Sequence, residues 1–207
     1  MNKEEIKFIN DILKPWDELN DLLTKPYAYE PGLNDVTRMA GNIAIALKHQ
    51  CDLEKESRKT IDPISPENKI MSDVADMVKH RGLRDKTREN KLYTAASFEC
   101  LEQENKFKFL RTTVYIEYVD GRIFDFIIES AKAINFWINH LSLNISKQRT
   151  IKLCNEDFKD KAILHYNPSK CVHMKSTRIE TYRKNNKGDL ELFDPKNVNL
   201  VLYEIKN

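Results

Sequence analysis

The sequence predicts an α+β fold: an N-terminal helical bundle followed by a mostly antiparallel sheet with one long packed helix. Two observations support this prediction. Apolar residues recur at helical spacing through most of residues 1–91. Aromatic and β-branched residues, which favour strands, become frequent in residues 92–207. The change near residue 91 predicts a helical region and a sheet region, either as two domains or as one continuous domain.

Proline and capping residues mark the expected helices of the first region. Apolar residues at helical spacing run from residue 4 to residue 24 and are interrupted by Pro15. Because proline lacks an N–H group and suits a first helical turn, we expect a kink or a second helix starting near Pro15. A further helix should begin at Asn34 or Asp35 and run to about Arg58.

The last helix of the bundle has the clearest start signal. Ser65 can cap its N-terminus, and Pro66 suits the first helical position. Ile70, Val74 and Met77 then follow at helical spacing, and Gly82 predicts the end.

The second region begins with strand signals. Residues 92–101 and 107–119 are rich in aromatic and β-branched residues. The Asp120-Gly121 pair predicts a hairpin turn, and residues 123–128 read as the next strand. Residues 129–145 then return to helical spacing, and residues 161–205 predict short strands separated by polar turns.

Composition restricts the function classes. Of the 207 residues, 41% are hydrophobic and 32% are charged, which predicts a soluble globular protein. The net charge of +2 is too small to predict nucleic-acid binding by itself. With only five glycines and no glycine-rich phosphate-binding motif, we expect no cofactor.

The same sequence predicts a cytoplasmic location. The charged N-terminus lacks the apolar segment of a signal peptide. No apolar run approaches the ~20 residues of a membrane span, so we expect no membrane association. The four cysteines are scattered along the chain, which favours reduced thiols over a disulfide framework.

Two segments of the helical region have nearly the same sequence. Residues 42–49 and 73–80 each begin with Asn or Asp, carry Ala at the third position and end in Lys-His. Together with Asp120-Gly121 and Phe136-Trp137, this pattern resembles uncharacterised bacterial proteins that join an N-terminal helical bundle carrying such a helix to a C-terminal sheet. The resemblance implies an α+β architecture and no established activity.

The strongest local charge lies at residues 79–91, where six Lys or Arg residues accompany two acids. Such a run at a helix end can converge on a phosphate or carboxylate group. It predicts an intracellular binding protein whose partner is an anionic ligand, a nucleic acid or an acidic protein. The alternative is a solvated helix end. The candidate anion-binding residues are Lys79, Arg81, Arg84, Lys86, Arg88 and Lys91.

The paired His49 and His80 offer a second hypothesis, a metal-independent ribonuclease or toxin-like defence effector. One histidine would act as general base while Arg81 or Arg84 holds a phosphate. Small helical ribonucleases of the HEPN type carry an Arg a few residues before their His, and this chain lacks that pattern. Histidines at helix C-termini also have a purely electrostatic explanation.

Two further hypotheses concern the C-terminal region. If residues 167–169 turn a hairpin, His165 faces Cys171 across the strands, with His173 on the same face, and the three could ligate zinc. The alternative is a half-exposed face with no metal. Exposed strands near the C-terminus would instead suit a structural or assembly subunit that forms a homo-oligomer.

Overall fold

The computed structural model of this protein describes residues 2–30, 34–53, 57–80, 82–146, 149–168, 177–195 and 197–205. These residues form helices and a mixed five-stranded sheet, so the α+β class is confirmed. The helices are α1 (Lys3–Phe8), α2 (Lys14–Leu23), α3 (Asp35–Leu53), α4 (Arg58–Ile61), α5 (Pro66–His80) and α6 (Phe126–His140). The strands are β1 (Asn90–Leu101), β2 (Lys106–Tyr118), β3 (Ile123–Asp125), β4 (Ala162–Tyr166), β5 (Arg178–Lys184), β6 (Leu190–Leu192) and β7 (Leu200–Glu204).

The first helical segment shows how the chain accommodates Pro15. A π-helical turn, Ile9–Leu13, joins α1 to α2, and the Lys14 N–H donates to the Ile9 carbonyl five residues back. α2 starts at Lys14, so Pro15 is its second residue, and the π-helical turn is the irregularity that accommodates the proline. The expected second helix near Pro15 is therefore confirmed.

Caps define the later helices of the bundle. The Ser65 side chain accepts the Asn68 N–H at 3.4 Å, and α5 begins at Pro66, as its sequence predicts. α3 ends at Leu53, earlier than expected, and Ser57 caps the short helix α4. α3 and α5 approach closely at Gly41, where a Cβ atom would lie 3.0 Å from Val78 Cγ2.

The sheet is mixed, so the expectation of mostly antiparallel strands was wrong. Its order is β3-β2-β1-β5-β6, and β1 pairs with β5 in parallel. A separate two-stranded sheet pairs β4 with β7, also in parallel. Both parallel pairs join strands that are distant in sequence, so no hairpin turn determines their direction.

The turn at Gly121 has φ +87°, as the predicted hairpin requires, and β2 pairs with β3 in antiparallel. The strand expected over residues 123–128 is cut short because Asp125 caps a helix. Its Oδ1 atom accepts the N–H groups of Ile127 and Ile128 at 2.8 and 3.2 Å. α6 therefore begins at Phe126 and ends at His140, a few residues earlier at each end than expected.

The described residues form two compact units. The first draws on residues 1–20, 35–93 and 114–151, and the second on residues 21–34, 94–113 and 152–207. The predicted division near residue 91 stays a prediction. In the second unit, the buried core contains Phe98, Phe107, Phe109 and Leu164.

Two buried tryptophans organise the first unit. Trp16 Nε1 donates to Ser130 Oγ at 2.9 Å, and Trp137 Nε1 donates to Asn68 Oδ1 at 2.8 Å. Each indole N–H thus has a partner, which removes the cost of burying it. Across the described part of the chain, no helix is both long and apolar enough to cross a membrane.

Candidate anion-binding site

The described cations of the basic run, residues 79–91, have different partners within the first unit. Arg88 points inward, where its Nε donates to Asp73 Oδ1 at 2.7 Å and its Nη2 donates to Asp76 Oδ2 at 2.6 Å. One guanidinium group therefore joins two carboxylates on successive turns of α5. This arrangement ties the turn after α5 back onto the helix and uses the charge of Arg88 inside the fold.

Three further side chains complete what we call the Asp73–Arg88 network. Lys48 of α3 donates to Asp76, and Arg58 Nη1 donates to the same carboxylate at 3.4 Å. The Tyr118 hydroxyl donates to Asp73 Oδ2 at 3.2 Å. The network therefore consists of Asp73, Asp76, Arg88, Arg58, Lys48 and Tyr118, and it connects α3, α4, α5 and β2.

The pKa values of the two aspartates of the network shift in opposite directions. Burial raises the pKa of Asp73, although Arg88, Arg58 and Tyr118 oppose this effect. Burial also acts to raise the pKa of Asp76, but the hydrogen bonds from Lys48 and Arg88 outweigh it and lower that pKa. The pKa of Tyr118 is raised because burial and the nearby Asp73 charge both disfavour the phenolate.

The other described cations of the run lie outside this network. Lys86 pairs with Glu89 at 2.6 Å, and Lys91 pairs with Glu117 at 3.2 Å. Arg84 is exposed, and Arg81 lies outside the described residues. These surface pairs stabilise the fold little, because water screens both charges.

Lys79 takes a different direction and contacts the first histidine. Its Nζ lies 3.0 Å from His49 Nε2, and His49 Nδ1 lies 2.9 Å from Asp52 Oδ2. An ammonium group can only donate, so Nε2 accepts from Lys79 and Nδ1 carries the proton donated to Asp52. The repeated segments therefore meet through Lys79 of one and His49 of the other. His80 is exposed at the end of α5, and its closeness to His49 stays a prediction.

His49 lines a cleft of about 470 Å³, which we call the His49 cleft. α1 contributes Lys7, the π-helical turn contributes Asp11, and α3 contributes Asn42 and Asp52. These polar and charged groups line part of an opening that is large enough for a small ligand. Ile45, Ala46 and Leu53 supply most of its apolar wall.

The predicted zinc ligands fall partly outside the described residues. His165 lies in β4, and its ring packs against Tyr203 of β7 with 5.9 Å between centroids. Cys171 and His173 are not among the described residues. The described residues contain no group of three His, Cys, Asp or Glu side chains placed to hold a metal ion.

Several residues of these sites were not identified from the sequence. Asp52 follows His49 by three residues on one helix, a spacing that brings side chains together and could have indicated the pair. Asp73 and Asp76 show the same spacing, but their partner Arg88 lies in the turn beyond the helix. The sequence around Lys7 does not indicate a site, because the place of Lys7 in the cleft depends on how α1 packs.

Comparisons with known protein families, with curated proteins and with solved structures found no match to this chain.

Proposed function

We propose that this protein is a binding protein for an anionic ligand, and that Lys79 holds the ligand's charged group beside the His49 cleft. The observation that carries the proposal is the 3.0 Å contact between Lys79 Nζ and His49 Nε2. It joins an exposed lysine to a histidine that lines the cleft. The site is thus narrower than the basic run of residues 79–91.

The hydrogen bonding of Lys79 favours this role. An ammonium group has three N–H donors, and His49 accepts one of them. Within the described part of the chain, the other two have no acceptor and can donate to the oxygens of a phosphate or carboxylate group. His49 acts here as a positioning residue, and Asp52 fixes its ring. Lys7, exposed on α1, adds a second cation to the same cleft.

The ion pairs of Arg88 also support a site that is smaller than the whole basic run. A guanidinium group already bound to two carboxylates has little capacity for a further anion. Lys86 and Lys91 have carboxylate partners as well. Among the described cations of the run, Lys79 is the one whose partner is a histidine ring rather than an acid, so no described carboxylate pairs with its nitrogen.

A titration with inorganic phosphate at constant pH tests the proposal. The ring resonances of the histidines are followed by NMR and assigned by single His→Gln variants. We expect the largest phosphate-dependent shifts at His49, weakened as salt rises. Lys79→Ala should remove these shifts, whereas Lys91→Ala, a matched exposed lysine of the same run, should keep them. Retention of the shifts in Lys79→Ala would overturn the proposal.

One observation favours a second candidate, the metal-independent ribonuclease. The Asp52–His49 hydrogen bond holds the imidazole in one tautomer, as an orienting carboxylate does for a general base. If Lys79 turned to a phosphate, Nε2 could take the proton of a ribose 2′-hydroxyl. His80 would be the second proton-transfer group.

End-labelled RNA incubated with the protein and EDTA tests this second candidate. Cleavage that persists in EDTA and is lost in His49→Gln and Asp52→Asn would support it. Intact RNA, or cleavage unchanged in both variants, would exclude His49 as the base.

A further inference from the structure

Three aromatic side chains lie in one row on a sheet face of the second unit. β4 pairs in parallel with β7, and a single parallel bridge joins Tyr27 to β4. The registers align Tyr27 with His165 and His165 with Tyr203. Because paired residues of neighbouring strands point to the same face, these three residues form what we call the aromatic row. We propose that the aromatic row binds a single-stranded nucleic acid by stacking against its bases. The row shares no residue with the His49 cleft, and this inference does not rest on the proposed function.

The opposite face of the same strands is buried. It packs into the core of the second unit through Ala28, Ala162, Leu164, Leu200 and Leu202. Side chains alternate between the two faces of a strand, so the aromatic row points away from this core. Tyr203 is 48% exposed, and the other two members of the row are half-buried. The row is therefore supported from below by the core and is open to solvent at β7.

Contacts between the aromatic rings restrict their orientations. The His165 and Tyr203 rings lie 5.9 Å apart between centroids, and their planes differ by only 32°. Tyr27 contacts Tyr29 edge to face, with 6.3 Å between centroids. Rings restricted in this way lose less side-chain entropy when a ligand binds. Every base has a π face, so such rings can stack with bases without regard to sequence.

The charges near the aromatic row suit a strand that is held mainly through its bases. Lys25 lies two residues before the row begins, and Lys161 immediately precedes β4. Because the two segments run parallel, these exposed lysines lie at the same end of the row, where they can contact phosphates. Neither lysine pairs with an acid in the part of the chain that the structure describes.

Acidic residues near the aromatic row limit this attraction. Asp160 is exposed beside Lys161. Glu204 follows the row on β7, but it lies on the opposite face, where its Oε2 atom accepts from the Tyr166 hydroxyl at 3.4 Å. Two lysines still favour a polyanion over a neutral planar ligand such as an oligosaccharide. We therefore expect stacking to supply most of the affinity and phosphate contacts to supply a smaller part.

Fluorescence anisotropy with a labelled oligouridylate of about ten nucleotides tests this inference. An abasic strand of the same length keeps the phosphates and lacks the bases, so it should bind at least about tenfold more weakly. With two phosphate contacts, log affinity should fall against log salt with a slope of about −1.4. Equal binding of the two strands would overturn the inference. So would binding of uridine monophosphate or cellohexaose as tight as that of the oligouridylate, because the ligand would then be a free nucleotide or an oligosaccharide.

Variants identify the residues that bind the strand. Tyr203→Ala should weaken oligouridylate binding about tenfold, whereas Tyr203→Phe keeps the ring and should bind within about twofold of the wild-type protein. Leu192→Ala is the matched control, because it removes a large side chain, 73% exposed, from β6 of the same unit and should bind normally. Normal binding by Tyr203→Ala would overturn the inference. The abasic comparison uses the wild-type protein, so its result does not depend on the folding of a variant.

The same variants separate this site from the proposed function. Tyr203→Ala should keep the phosphate shifts at His49, and Lys79→Ala should keep oligouridylate binding. If Lys79→Ala loses the strand while Tyr203→Ala keeps it, the nucleic acid occupies the anion site and the inference about the aromatic row fails. Loss of the phosphate response in the wild-type protein would instead remove the proposed function and leave the aromatic row standing.

Discussion

The Asp73–Arg88 network and the contact between Lys79 and His49 both join α3 to α5, but they hold their cations in opposite ways. In the network, the carboxylates of Asp73 and Asp76 surround Arg88, and Asp73 is buried. In the second contact, the His49 ring accepts from Lys79 at the surface. A basic residue beside buried acids thus stabilises the fold, whereas one beside a neutral acceptor keeps donors for a ligand.

This difference shows why charge density along the chain is a poor guide to a binding face. Lys79 and Arg88 belong to one basic run, and nothing in their immediate sequence distinguishes their roles. The burial of the partner distinguishes them. The Asp73 side chain is 3% exposed, so it requires a cation in the folded state.

The largest expected effect is the loss of folding stability when the Asp73–Arg88 network is broken. Arg88→Ala should lower the free energy of unfolding by about 3 kcal/mol, because it leaves Asp73 buried without its main cation. Urea denaturation measures this change. Lys86→Ala is the matched control, since its side chain is 73% exposed and its loss should leave the midpoint unchanged. Equal stability of the two variants would contradict a structural role for Arg88.

A second prediction concerns how the stability of the fold declines at low pH. The folded-state pKa of Asp76 is lowered, so its contribution to stability is present above its ordinary pKa and is lost as the pH falls through the lowered value. The folded-state pKa of Asp73 is raised, so its protonation on folding opposes that loss. Asp76→Asn should therefore flatten the decline in stability on acidification, and Asp73→Asn should steepen it. Thermal unfolding across the acidic range measures both slopes, and the reverse order would contradict these directions.

The smallest expected effect is on the affinity of the His49 cleft for an anion. Asp11 is a carboxylate that opposes an incoming anion. Asp11→Asn should strengthen phosphate binding roughly twofold, because it removes a screened like charge. Competition binding against the wild-type protein resolves a change of this size. Weaker anion binding in this variant would show that Asp11 helps to hold the ligand.

Local signals in the sequence predicted the elements well, and long-range partners were predicted poorly. Ser65-Pro66 identified the start of α5, and Asp120-Gly121 identified the hairpin, because caps and turns act over a few residues. The parallel pairing of β1 with β5 could not be predicted, since it joins strands far apart in the chain.

In the candidate site, too, local patterns were predicted and long-range partners were not. The two Lys-His segments were recognisable as a related pair, and the structure joins them through Lys79 and His49. The sequence does not predict which cation of the run pairs with buried acids. That pairing depends on two acids one helix turn apart on α5 and on the path of the chain after α5. Asp125 illustrates the limit within a short segment, because its side chain ended a strand that β-propensity favoured.

The central claim is that Arg88 is structural while Lys79 binds the ligand. Phosphate titration of Arg88→Lys and Lys79→Ala, followed through the His49 ring resonances, tests it most directly. Arg88→Lys retains the charge but loses the paired geometry, so it should be less stable than the wild-type protein and still show the full phosphate response. Lys79→Ala should be as stable as the wild-type protein and show no response. The opposite pattern, with the response lost in Arg88→Lys and kept in Lys79→Ala, would contradict the account.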